Sequence, residues 1–157
     1  MYFTLCTNKD LYEWDKTGDF GSIYGELFIN IDGFIFPDEG WIDIVSSVLI
    51  MWVENIASLL QSNSDNEERE FCFMDGPYYF KVIGIKDETI KITLYDHYKQ
   101  VNQEPYEVSF YNFLTEVSKV IVGINMDERL KEVKNAKELK NKYTRLKKIA
   151  KEKGYKL

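Results

Sequence analysis

One histidine, two cysteines and three prolines in 157 residues leave little material for several common chemistries. Cys6 and Cys72 stand far apart inside apolar runs, not in a metal-binding or redox spacing, so the sequence predicts reduced, buried thiols and no disulfide framework. The only histidine, His97, lies in the loop sequence Asp96-His97-Tyr98-Lys99. A general base needs an orienting neighbour and a pocket, and adjacent residues on extended chain point apart, so Asp96 is not expected to orient it. No Gly-x-Ser-x-Gly elbow, His-Glu-x-x-His pair, phosphate-binding loop or Gly-x-Gly-x-x-Gly fingerprint is present. Paired carboxylates alone can run glycosidase-type chemistry, but 26 acids do not single out a pair. The loop Asp65-Asn66-Glu67-Glu68 is rich in oxygen ligands yet lacks the alternation and central glycine of a calcium loop. The expectation is a chain that is not an enzyme, with no metal and no cofactor.

Long hydrophobic runs are also missing. The longest, from Ile44 to Val53, is broken by Ser46 and Ser47 and is too short to cross a bilayer. The N-terminus lacks a basic start followed by an apolar stretch, and the expected compartment is the cytoplasm.

What the chain does have is aromatics, 11 Tyr, 10 Phe and 3 Trp, and a segregated charge. Of 20 basic residues 12 fall within residues 127–157, with only 5 of the 26 acids. That segment therefore carries +7 and residues 1–126 carry −13. Such asymmetry governs encounter and partner choice more than fold. The domain expectation is an acidic α+β domain over residues 1–125, with a basic C-terminal helix, 126–157, appended to it.

Hydrophobic periodicity supplies the elements. Residues 2–6 and 23–31 read as strands, and Asp32-Gly33 before Phe34-Ile35-Phe36 predicts a tight hairpin, because both turn positions need positive φ. After Pro37, Asp38 is a candidate helix cap. Trp41, Ile44, Val45, Val48, Leu49, Trp52, Ile56, Leu59 and Leu60 then form a wide stripe at helical spacing, with Asp43 on the solvated side. A polar loop spans 61–70. Strands follow at 71–74, 78–85 and 89–95, with an edge strand at 106–109. Short connections favour an antiparallel meander. Ser109 caps a helix carrying Phe110, Phe113, Leu114, Val117, Val120 and Ile121, interrupted at Gly123-Ile124-Asn125. Asp127 and Glu128 open a last helix running to Gly154, about 40 Å long, on whose stripe Leu130 and Val133 do not fall. The fold class expected is α+β: a largely antiparallel sheet on one amphipathic helix, plus a C-terminal two-helix extension.

Two sets of charges are candidate contacts. The acids Asp38, Glu39 and Asp43 at the start of the first helix, with Asp65, Glu67 and Glu68 beyond its end, would attract a basic protein and repel nucleic acid. The basic residues Lys137, Lys140, Arg145, Lys147, Lys148 and Lys151 would serve the alternative, a nucleic-acid-associated accessory protein, through sequence-independent phosphate contacts. Lysine outnumbers arginine ten to two in that segment, which leaves bidentate base reading poorly supplied. An ordinary helix whose positive side rests on, or faces, the acidic body is a third account of the same residues.

Residues 24–60, from Tyr24-Gly25-Glu26-Leu27 through Asp32-Gly33 to the helix after Trp41-Ile42-Asp43, resemble the opening of small α+β immunity proteins of bacterial polymorphic-toxin systems. The run Phe73-Met74-Asp75-Gly76-Pro77-Tyr78-Tyr79-Phe80 and the helix start Val108-Ser109-Phe110 are similar in kind. The resemblance implies a cytoplasmic inhibitor that binds a basic toxin domain, such as a nuclease, and has no catalytic residue of its own.

Overall fold

A computed structural model describes residues 1–15 and 21–157. The architecture is α+β, with two antiparallel sheets and three helices, two of them in the C-terminal region. In the first sheet β3 (Ile23–Ile31) is central. Residues 27–31 pair with β1 (Phe3–Thr7), and 29–31 pair with β4 (Phe34–Phe36). The start of β3 pairs with β2 (Glu13–Trp14) and β5 (Ile42–Asp43). Burial along β3 alternates residue by residue, with Ile23, Leu27, Ile29 and Ile31 inward, as a sheet with one packed face requires. The Asp32-Gly33 turn has φ of 49° and 93°, so the hairpin read from those two residues is present.

The second sheet has the order β10–β8–β7–β6, formed by β6 (Glu68–Cys72), β7 (Tyr78–Lys86), β8 (Thr89–Asp96) and β10 (Tyr106–Ser109); β9 (Lys99–Gln100) pairs with the end of β8. The meander and the edge position of β10 match the sequence reading.

The two sheets and helices α1 (Val45–Gln61) and α2 (Phe110–Met126) meet around Phe3, Trp52, Phe71, Phe80 and Phe113, one ring each from β1, α1, β6, β7 and α2. Ring centroids lie 4.9 to 6.5 Å apart, mostly edge-on. Each such pair adds about 1 kcal/mol beyond area burial, so these five rings couple the layers.

The helices also close two strand edges. Asn112 of α2 accepts from Phe3 N (2.7 Å) and donates to Phe3 O (3.0 Å), while Glu116 accepts from Leu5 N (3.4 Å). Along β6, Trp52 Nε1 donates to Cys72 O (3.0 Å) and Asn55 Nδ2 to Glu70 O (2.8 Å). Buried main-chain groups need such partners, and unpaired edges invite foreign strands.

Four expected boundaries are corrected. The first helix begins at Val45, not near Trp41, because Ile42 and Asp43 pair with β3 instead; Asp38 therefore does not cap it. The polar loop ends earlier than its composition implies, since Glu68, Arg69 and Glu70 pair with Ile83, Val82 and Lys81. Gly123 does not interrupt α2, which continues to Met126 and buries Ile124. The last helix, α3 (Lys134–Glu152), starts only after a 3-10 turn at Glu128–Leu130, and its 19 residues span about 28 Å. Leu130 and Val133 miss the α3 stripe because they precede the helix, and both are buried.

The C-terminal segment is not a projecting rod. Ala136, Leu139, Tyr143, Leu146, Ile149 and Ala150 are buried in the same core as α1 and α2.

Candidate binding surface

Asp43 is the hinge of the most distinctive local arrangement. Its carboxylate is only 2% exposed. Trp41 Nε1 donates to Oδ2 (3.0 Å) and Ile44 N to Oδ1 (2.7 Å). From 31 residues further on, Met74 N donates to both oxygens (3.2 and 3.1 Å) and Asp75 N to Oδ2 (3.3 Å). A buried carboxylate is tolerated when several donors replace its hydration, and donors to a charged acceptor are the strong ones. Its place just before α1 also puts negative charge at the positive end of the helix dipole. The expectation that Asp43 lies on the solvated side of a helix and meets a partner is therefore corrected. It sits on β5, faces inward, and ties the β4–β5 connection to the β6–β7 turn.

Aromatic contacts lead from the core to this point. Trp52 packs against Phe73 (5.5 Å), Phe73 against Phe36 (6.0 Å), Phe36 against Tyr78 (5.8 Å) and Tyr78 against Trp41 (5.0 Å), all edge-on. Gly76 has φ +94°, and a Cβ there would come within 3.3 Å of Trp41 and 3.2 Å of Tyr78. Glycine serves both the turn and the close approach.

The knot fixes a surface. Ile42 and Met74 are 55% and 45% exposed, beside the half-buried Trp41 and Tyr78. Asp38, Glu39 and Asp75 are exposed around them, and the Glu26 carboxylate lies 3.7 Å from where a Gly40 side chain would begin. Among the described residues no Lys, Arg or His forms an ion pair with any of these four acids. Glu26 and Asp75 were not singled out by sequence reasoning. The signal for Asp75 was its place in the Asp75-Gly76-Pro77 turn; Glu26 had none beyond its outward position in β3.

Asp65, Glu67 and Glu68 do not join this surface. They lie past the other end of α1, about 25 Å away along its 17 residues. There Glu67 pairs closely with Arg69, whose guanidinium also donates to Ser58 Oγ (2.7 Å), and Lys81 lies 3.4 Å from Glu68 and 4.0 Å from Glu70. Asp65 is exposed and has no ion pair among the described residues.

All six basic candidates on α3 are exposed. The face that α3 buries is apolar, not positive, and among the described residues Lys142 alone on α3 pairs with α1, at Glu54. Lys137 pairs locally with Glu132 (3.1 Å). Helical spacing puts Lys137, Lys140, Lys147, Lys148 and Lys151 on one flank. Arg145 faces the other side, lining a groove with Glu54, Glu67 and Arg69.

His97 and Asp96 do meet, Nδ1 to Oδ1 at 2.5 Å, contrary to expectation. The cause is the turn: His97 has φ +48°, so the alternation of extended chain does not apply. The pair is exposed. Cys6 and Cys72 are free and half-buried, less enclosed than expected; burial pushes both thiols up from their ordinary value, with Glu116 and Glu70 respectively adding to the shift. Among the described residues no three His, Cys, Asp or Glu are grouped to hold a metal ion, and no helix is long and apolar enough to cross a membrane. Comparison with protein-family models, curated proteins and solved structures gives no match to this chain.

Proposed function

We propose that the protein is a non-catalytic binding protein of the immunity or antitoxin type, which inhibits a basic toxin domain by capping it in the cytoplasm. The observation that carries this reading is the meeting of residues 24–60 and 73–80, two of the stretches that resemble immunity proteins, at buried Asp43. The surface they build has the composition of a protein interface: apolar and aromatic at its centre, polar at its rim. Its rim is anionic and without an ion pair among the described residues, which favours a cationic partner and speeds encounter. Asp38, Glu39, Asp75 and Glu26 supply the charge; Ile42, Met74, Trp41 and Tyr78 supply the contact area.

The test is co-expression with any toxin domain encoded by a neighbouring gene, reading growth rescue and complex formation; absence of such a gene would count against the reading. Wild-type protein rescues growth and co-purifies in equal ratio. The triple variant D38K/E39K/D75K, checked by circular dichroism for an intact fold, loses both. Full rescue by that variant would remove this surface from the proposal.

A further inference from the structure

The basic flank of α3 is absorbed neither by the fold nor by the reading above. We infer that this flank and the groove at its C-terminal end bind single-stranded nucleic acid through its phosphates. The groove, about 640 Å³, is lined by Lys147, Lys148, Lys151, Tyr155, Lys156 and Leu157. Its wall is preorganised. Gly154 (φ +91°) ends the helix, with Gly154 N donating to Lys151 O (3.0 Å) and Tyr155 N to Ala150 O (2.9 Å). This paired closure is the Schellman motif, which fixes the direction of the departing chain. Tyr155 then packs edge-on against Phe110 (5.2 Å), and Tyr111 Oη reaches Lys156 O (3.5 Å). Ammonium groups thus surround a half-buried aromatic ring on a fixed support.

Three features choose the occupant. Lys140, Lys147, Lys148 and Lys151 have no acid partner among the described residues, and Glu138 and Glu152 fall on the flank of Arg145 instead. The apolar face of α3 is used up against the core, so the helix has no free apolar face to lay into a membrane, whose binding by a surface helix needs buried apolar area. A lysine groove with an aromatic wall is the pattern that tracks a flexible phosphate backbone while offering a ring to its bases. Lysines without arginine forks make the contact indifferent to base sequence.

The test is fluorescence anisotropy of a labelled 20-nucleotide oligothymidylate with the full chain, between 50 and 200 mM salt. Binding is expected, with log K falling against log salt at a slope of about −3, as roughly four to five phosphate contacts require. K147E/K148E/K151E, all exposed positions, should weaken binding at least about tenfold with an unchanged melting temperature. R145E, on the other flank, should alter it less than about threefold, and D38K/E39K/D75K should not weaken it, which separates this inference from the one above. No binding at 50 mM salt, equal binding by the lysine triple variant, equal competition by polyglutamate, or binding to phosphatidylserine vesicles but not to the oligonucleotide would each overturn it.

Discussion

The two acidic clusters that bracket α1 are near equals in sequence and opposites in structure. At the far end, Glu67 and Glu68 are held by Arg69 and Lys81 within their own sheet, and Arg69 is further fixed to Ser58. At the near end, one acid is drawn inside as a strut while Asp38, Glu39, Asp75 and Glu26 remain without a counter-ion among the described residues. The first arrangement spends its charge on local cohesion. The second leaves it available. Net charge along a chain therefore does not locate a binding surface; what matters is which carboxylates the fold has already satisfied.

Three variants break this contrast, in falling order of effect. Asp43→Ala strands Trp41 Nε1 and the Ile44, Met74 and Asp75 amides. With about 1–3 kcal/mol for each unsatisfied buried donor, partly relieved by water, a loss of about 3–5 kcal/mol is expected in urea unfolding. A loss under about 1 kcal/mol would mean that the two segments do not depend on Asp43. Arg69→Ala should cost about 1 kcal/mol, since these groups are partly exposed, and should make the far end resemble the near one by freeing Glu67. D38K/E39K, at side chains with no ion pair among the described residues, should leave stability within about 0.5 kcal/mol while slowing association with a basic partner, most visibly at low salt.

Asp127 offers a reference for a satisfied acid outside both clusters. The hydrogen bond and ion pair from Arg129 hold its carboxyl below the usual carboxylate range. A depressed native value means that the stabilisation is complete above the ordinary carboxylate range and fades as pH falls through the native value. Melting temperatures of wild type and D127N should therefore converge on acidification from pH 5 towards pH 3, and a constant gap would count against the pair.

Much of the sheet architecture was legible. The alternation in residues 23–31 and the Asp32-Gly33 turn are local signals, and both survive because one face of β3 is packed. The helix stripe was right in its middle and wrong at its start. Trp41 continues the helical spacing by coincidence, whereas pairing of Ile42 and Asp43 with Glu26 and Gly25 takes those residues into the sheet. The role of Asp43 was not legible, because its donors arrive from Met74 and Asp75 and no periodicity links positions so far apart. For the same reason the pairing of Glu68 stayed hidden: Lys81 reaches it, and Glu70, only through strand register.

The side-chain clamps on β1 and β6 have one further implication for how this molecule can meet others. With the outward amide and carbonyl of Phe3 occupied by Asn112, and the carbonyls of Glu70 and Cys72 by Asn55 and Trp52, an added strand could not form its full ladder at either margin. Association there by backbone zippering, whether with a target peptide or in a growing fibril, would first have to dislodge a helix.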